Sequence, residues 1–327
     1  MRKLLLAGCG LVSVLYLLPM VWSFGGIADG QAPETLLIPD AAPVDAAADA
    51  GAADYSTVTV EIDGTPTALP LETYVEGVVA AEISNDFPLE AIRAQAVAAR
   101  TYAVYKLSRG RPDVHPDADL CDDYHHCAAY RDVAVETAAG SDLSRVRQAV
   151  RDTEREILTY DGAPIAAVFH CVSGPRTEAA ADVWGEDIPY LQSEVSPGGS
   201  ACSEYESSVT VPAEDFRQTV QESFPSAEVS GAPDTWFKAS VRSDAGGVIT
   251  VKLGGLTVEG TAVRELFGLN STNFTITTTE DSITFHTIGY GHGVGLSQYG
   301  AKYLAEQGAT YQDIRSNYYQ DTVLTRI

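Results

Sequence analysis

The sequence predicts an α+β protein whose helices and antiparallel strands are mixed within one folded region, preceded by a single N-terminal transmembrane helix. Three observations carry this expectation. An uncharged, mostly apolar run opens the chain; helix-period stretches occupy residues 71–108; the later part alternates as strands broken by glycine turns. These segments succeed one another without the regular βαβ rhythm of a doubly wound sheet.

The elements follow in order. Arg2 and Lys3 precede Leu4–Phe24, which matches the ~20 residues a helix needs to cross a bilayer. The basic flank places the N-terminus inside and the rest of the chain outside. A cleaved signal peptide is the alternative, but its apolar core would run only about 7–15 residues, and Gly25-Gly-Ile-Ala28 is a poor cleavage site. Residues 1–24 therefore read as a cytoplasmic stub and anchor. Leu6-Ala-Gly-Cys9 resembles a lipoprotein processing box, yet the apolar run continues past it, so Cys9 reads as a membrane residue. Residues 25–55, rich in Ala, Asp, Gly and Pro, lack the large apolar side chains that offset ordering entropy and read as a flexible acidic linker. Residues 56–327 form the folded region.

Within it, Val58–Ile62 alternates as a strand and Asp63-Gly64 marks a turn. A helix is expected over Leu71–Ile83, broken by Ser84-Asn-Asp-Phe87. Pro88 then opens a second helix, Leu89–Ser108, crowded with alanine and stopped at Gly110. Residues 111–130 are irregular. A polar helix over about 142–153, strands at Glu156–Tyr160 and Ile165–His170, a β-rich stretch from Trp236 to His286, and a last helix over about 301–307 complete the expectation. The 45 Asp+Glu against 21 Lys+Arg give a net charge of −24, which repels nucleic acid and anionic lipid alike.

The candidate chemistry begins at Glu82. It ends an apolar stretch, Gly77-Val-Val-Ala-Ala-Glu-Ile83. Apolar neighbours and the negative end of the helix dipole both disfavour an ionised carboxylate, as suits a general acid. An exposed glutamate at a helix end is the plain alternative. On the next helix, Gln95 and Arg100 stand among small residues. A buried arginine needs a partner: Glu82, an anionic ligand group, or a structural salt bridge. His115, Cys121, His126 and Cys127 bring two imidazoles and two thiols together on one short segment, a donor set that suits tetrahedral zinc; disulfide chemistry among Cys121, Cys127, Cys171 and Cys202 is the alternative outside the cytoplasm. Gly289–Gly300 is glycine-rich but lacks the lysine of a Walker motif. Its His292, Ser297 and Gln298 are candidate sugar contacts, as are Ser173 and Thr177.

Three ordered blocks carry a family resemblance. Leu69–Glu82 with Phe87–Tyr102 forms the first, Phe169-His-Cys-Val-Ser-Gly174 with Thr177 and Asp182-Val-Trp-Gly185 the second, and Gly289–Ala301 the third. From about residue 57 onward the chain resembles the stage II sporulation protein D family, related to amidase enhancers. The resemblance implies a lytic transglycosylase that cleaves peptidoglycan glycan strands already stripped of stem peptides, during engulfment in endospore formation. It maps the catalytic acid/base onto Glu82, with Gln95, Arg100, Ser173, Thr177, His292, Ser297 and Gln298 as substrate-binding candidates. It favours His126 over His125 as a ligand, giving a structural zinc at His115, Cys121, His126 and Cys127 and no cofactor in the chemistry; a Cys171–Cys202 disulfide remains open beside it. It also implies an amidase partner, stage II sporulation protein P, a membrane partner, stage II sporulation protein M, and a single-pass location with the catalytic domain outside the cytoplasm. The alternative is a non-catalytic, glycan-binding enhancer of a cell-wall amidase.

Overall fold

The computed structural model describes residues 54–327. The expected anchor and nearly all of the linker lie outside the described residues; among those described, no helix is long and apolar enough to cross a membrane.

The fold opens with a hairpin, β1 (Thr57–Ile62) and β2 (Thr65–Pro70). Its turn places Asp63 and Gly64 at φ 48° and 73°, the left-handed pair that a two-residue Asp-Gly turn demands. Helix α1 (Leu71–Glu82) buries Leu71, Tyr74, Val75, Val78 and Val79, an i, i+3, i+4, i+7, i+8 stripe. After Pro88, α2 (Leu89–Ser108) buries residues on every side. Its alanines let α1, later helices and a later strand approach it closely, so α2 is the axis of the first core.

Strand β3 (Leu120–Cys121) joins β1 in parallel. Next come α3 (Val133–Ala138), capped by the Asp132 carboxylate, and α4 (Ser144–Asp152). Strand β4 (Glu156–Tyr160) pairs antiparallel with β5 (Ala163–Pro164). The apolar run 165–170, expected as one strand, pairs only at β6 (Phe169–His170). Ala167 and Val168 instead donate to the carbonyls two residues back, Ile165 and Ala166. The short helix α5 (Ala180–Trp184) follows.

A second core is then inserted. It comprises β7 (Glu206–Pro212), α6 (Ala213–Ser223), β8 (Phe237–Arg242), β9 (Val248–Leu253), β10 (Leu256–Glu259), α7 (Gly260–Phe267), β11 (Phe274–Thr278) and β12 (Ser282–Ile288). The strands form two antiparallel sheets, β10-β9-β8 and β11-β12-β7. An aromatic stack joins them to the helices: Phe216 lies 4.7 Å from Phe267, which lies 5.1 Å from Phe285. Helix α7 interrupts a stretch whose composition reads as strand. Glycine is required at its first residue, Gly260, since a Cβ there would sit 1.7 Å from the Val248 carbonyl oxygen.

The chain then returns to the first core with β13 (Leu296–Ser297), α8 (Gln298–Glu306), α9 (Tyr311–Tyr318) and β14 (Val323–Arg326). β13 pairs in parallel with β6, and β14 pairs antiparallel with β4. The third sequence block therefore lies against the second, and α8 packs on α2 beside the end of α1.

Candidate active site and metal cluster

Glu82 is the last residue of α1, half-buried, with Ile83 as the cap. Gln298, the first residue of α8, donates its side-chain N–H to Glu82 Oε2 at 3.2 Å. The Ala129 backbone N–H is a second donor. Burial raises the carboxyl above the usual 4.5, while these two neutral donors partly counter it. No cation holds Glu82 as an ion pair among the described residues. A desolvated carboxyl without a cation holds its proton to higher pH than a solvated one.

Two other raised carboxyls differ in surroundings. Glu76 is raised by burial but faces Arg147, with Nε 3.7 Å from Oε2. Glu178 is raised by burial and accepts the Gly247 N–H at 3.0 Å between the two cores. It lines a cavity of about 270 Å³ with Asp182, Trp184 and Glu259; Glu82 is not among the lining residues. Glu178 too is held by neutral donors, Ser243 and the Gly247 N–H; what sets Glu82 apart is its contact with Gln298, which joins the first sequence block to the third.

The segment that supplies Ala129 is clamped onto α1. Arg131 N–H donates to the Gly77 carbonyl at 3.2 Å, and Tyr130 stacks on Tyr74 at 5.7 Å. Glycine is required at 77, since a Cβ would lie 2.2 Å from the Tyr130 ring. Two residues upstream of Ala129 lies the Cys/His cluster. The four donor atoms of His115, Cys121, His126 and Cys127 fall within 4.8 Å of one another. His115 Nε2 and His126 Nδ1 are 3.0 Å apart. Cys127 Sγ is 3.5 Å and 3.4 Å from those two nitrogens, and Cys121 Sγ is 3.6 Å from His126 Nδ1. A zinc tetrahedron with ordinary bond lengths has edges of about 3.3–3.8 Å; three of the four separations fall in that range, and two imidazoles with two thiols are a donor set that suits the ion. His115 Nδ1 lies 2.9 Å from the Ala118 carbonyl, a contact that orients the ring and leaves Nε2 as the ligand atom. His125 turns away to Asp123 instead. All four cysteines among the described residues are free thiols, so neither a Cys121–Cys127 nor a Cys171–Cys202 disulfide is formed.

Most of the other candidate contacts are turned inward. Arg100 is fully buried and pairs with Glu72, not Glu82: Nη2 lies 2.6 Å from Oε2 and Nε 2.9 Å from Oε1. Its remaining donors reach the carbonyls of Ala96, Val150 and Glu156. Gln95 is also fully buried, and its amide has no partner among the described residues. Ser297 Oγ caps α8 by accepting the Gly300 N–H, and also accepts the Ser173 N–H. Ser173 is buried. Thr177 Oγ1 accepts the Glu194 N–H at 2.9 Å. His292 Nδ1 accepts the Val294 N–H, so Nε2 carries the proton and donates to the Phe169 carbonyl at 2.9 Å. Burial holds His292 down at about 3 and His170 at about 4; both are neutral and fasten the second block to the third. These residues build the scaffold, and Gln298 alone among them reaches Glu82.

Residues that pattern reasoning missed complete the site. Cys171 lies within electrostatic reach of Glu82 and shares a thiol hydrogen bond with Cys202; burial pushes it to about 12. Phe87, just past the end of α1, meets Tyr299 edge-on at 5.2 Å. The Lys302 ammonium stands 5.0 Å from the Phe87 ring and 5.6 Å from the Tyr299 ring. The signal available was position: Tyr299 and Lys302 follow Gln298 on the same helix.

Comparison with known proteins covers the first block and most of the chain. A family model described as Stage II sporulation protein matches residues 64–160. Stage II sporulation protein D of Bacillus subtilis (strain 168) is 36% identical over 262 residues, 79% of this chain and 75% of the relative. Stage II sporulation protein D of Bacillus amyloliquefaciens is 37% identical over 257 residues, 77% of this chain and 73% of the relative. A protein named Amidase enhancer from Bacillus subtilis (strain 168) is 26% identical over 300 residues, 77% of this chain but 40% of its own length.

Proposed function

The chain belongs to the stage II sporulation protein D family, and on that premise we propose that it is a lytic transglycosylase acting on peptidoglycan strands freed of stem peptides. The observation that carries this reading is the state of Glu82: a carboxyl raised by burial, held by two neutral N–H donors and no cation. In this reading the Glu82 proton passes to the glycosidic oxygen as the bond from the muramyl C1 breaks. An oxocarbenium-like centre forms at C1. The Glu82 carboxylate then removes the proton of the muramyl 6-hydroxyl, and O6 closes on C1 to give a 1,6-anhydro ring. One carboxyl serves both steps, so no second acid at fixed separation is needed, as it would be in a hydrolase.

The Cys/His cluster supports this chemistry indirectly. A zinc held by His115, Cys121, His126 and Cys127 would have four protein ligands and no open position for water, so its contribution is structural. It would fix the segment that presents the Ala129 N–H to Glu82. One equivalent of zinc per chain is expected by elemental analysis, and Cys121→Ser should lose it. A stable Cys121–Cys127 disulfide in metal-free protein would rule the site out.

The proposed setting follows from the same family: an anchored protein with its catalytic region outside the cytoplasm of the sporulating mother cell, beside an amidase (stage II sporulation protein P) and a membrane protein (stage II sporulation protein M). The amidase-enhancer relative favours a second reading, a glycan-binding stimulator without catalysis. Incubation of the folded, zinc-loaded domain with amidase-treated glycan separates the two. The first reading expects 1,6-anhydromuramyl ends that vanish in Glu82→Gln. The second expects stimulation of the amidase, unchanged in that variant, and no anhydro ends.

A further inference from the structure

Lys302 is one of several bases without an acidic partner among the described residues, and it is set apart by its place on the helix that donates to Glu82. Acids outnumber bases 45 to 21, and the arginines at 93, 100, 111, 147, 217 and 326 each hold a carboxylate. Lys302 holds none among the described residues. Its half-buried ammonium rests instead on the faces of Phe87 and Tyr299. Aromatic faces attract a cation without neutralising it, so Lys302 keeps its charge available to an incoming anion.

Its position gives that charge a purpose. Lys302 lies four residues after Gln298 on α8, and Gln298 holds the Glu82 carboxyl. Side chains at i and i+4 share a helix face and start about 6 Å apart. Phe87, on the other side of the ammonium, follows Glu82 across the short turn between α1 and α2. The ammonium therefore stands between the helix that donates to Glu82 and the residue that closes the turn after it.

The proposed substrate carries one anion close to its reacting bond. Each muramyl ring bears a lactyl ether on C3, two ring carbons from the C1 whose bond Glu82 would protonate. On a strand with its stem peptide the lactyl carbonyl is a neutral amide; removal of the peptide exposes a carboxylate. We propose that Lys302 is a specificity-determining residue that binds the free lactyl carboxylate of peptide-stripped strands. This rests on the transglycosylase reading for the identity of the sugar. It supplies a physical reason for selecting denuded glycan: the charge-assisted hydrogen bond forms only after the amide is gone.

The test uses binding, which does not depend on turnover. Glu82→Gln protein is titrated with denuded strands whose lactyl carboxylates are free, and with the same strands converted to primary amides. Free carboxylates should bind about tenfold more tightly at low salt, a charge-assisted contact being worth about that factor. The preference should shrink as salt rises. Adding Lys302→Gln should equalise the two ligands, and Lys302→Arg should restore the preference. An undiminished preference in Lys302→Gln, or equal binding before that substitution, overturns the proposal. Anhydromuramyl ends are scored separately on protein that retains Glu82. Selective binding without such ends sinks catalysis and leaves the role of Lys302 standing; such ends without selective binding do the reverse.

Discussion

The two ends of helix α1 carry the same residue type in opposite circumstances. Glu72 lies in the first turn, where the helix dipole favours an anion. It receives two donors from the fully buried Arg100 and the Arg155 backbone N–H at 3.2 Å. Glu82 lies in the last turn, where the dipole opposes an anion. It receives only neutral donors, and its carboxyl is raised by burial. One helix thus holds an ion-paired carboxylate and a carboxyl raised by burial, separated by their partners and by helix polarity rather than by residue type.

Substitutions at each end should break differently. The largest effect is expected at Glu82: Glu82→Gln keeps the shape and the contact with Gln298 but has no proton to give, so cleavage should fall by about a hundredfold to ten-thousandfold, below the level at which anhydro ends are detected. The same variant should be more stable at neutral pH than the parent. Folding raises the Glu82 pKa, so the ionised side chain opposes the folded state above that raised value. The penalty disappears as pH falls through the ordinary 4.5. Thermal melts from pH 4 to pH 7 should therefore show the variant's advantage opening as pH rises; a constant difference would deny the shift.

At the other end the expected loss is stability. Arg100→Met removes the partner of Glu72 and leaves buried carbonyls unpaired, costing about 3 kcal/mol and roughly 6–12 °C in Tm. Activity per folded molecule should be nearly unchanged. A variant that stays fully folded and loses cleavage would return Arg100 to the substrate. The smallest effect is expected at Gln298. Its hydrogen bond lowers the Glu82 pKa, so Gln298→Ala should raise it further. The alkaline limb of the pH–rate profile, which reports loss of the acid form, should move to higher pH; movement to lower pH would contradict the assigned contact.

The contrast also marks what the chain reveals before it folds. Helices α1 and α2 were legible because apolar spacing, the Ser84–Phe87 break and Pro88 all agree. Glu82 was legible as a carboxyl at an apolar helix end, and the four cluster residues as a donor set. The partner of Arg100 was not, because spacing shows that a buried guanidinium needs an acid but not which one. The 165–168 segment is apolar because it is buried, and burial alone does not separate strand from irregular backbone. Helix α9 carried a sign that pattern reading passed over: Thr310 and Asp313 form a capping box. Ala129 and Phe87 were out of reach, because their roles depend on where α8 and the segment after the Cys/His cluster land.

The measurement that bears most directly on the central claim is the fate of the cleaved muramyl end. Folded, zinc-loaded protein is incubated with amidase-treated glycan in heavy-oxygen water, and the products are weighed by mass spectrometry. A lone acid that becomes a base at Glu82 yields anhydromuramyl ends with no oxygen taken from solvent, and none in Glu82→Gln. Reducing muramyl ends carrying solvent oxygen would contradict it, as would anhydro ends that persist in Glu82→Gln.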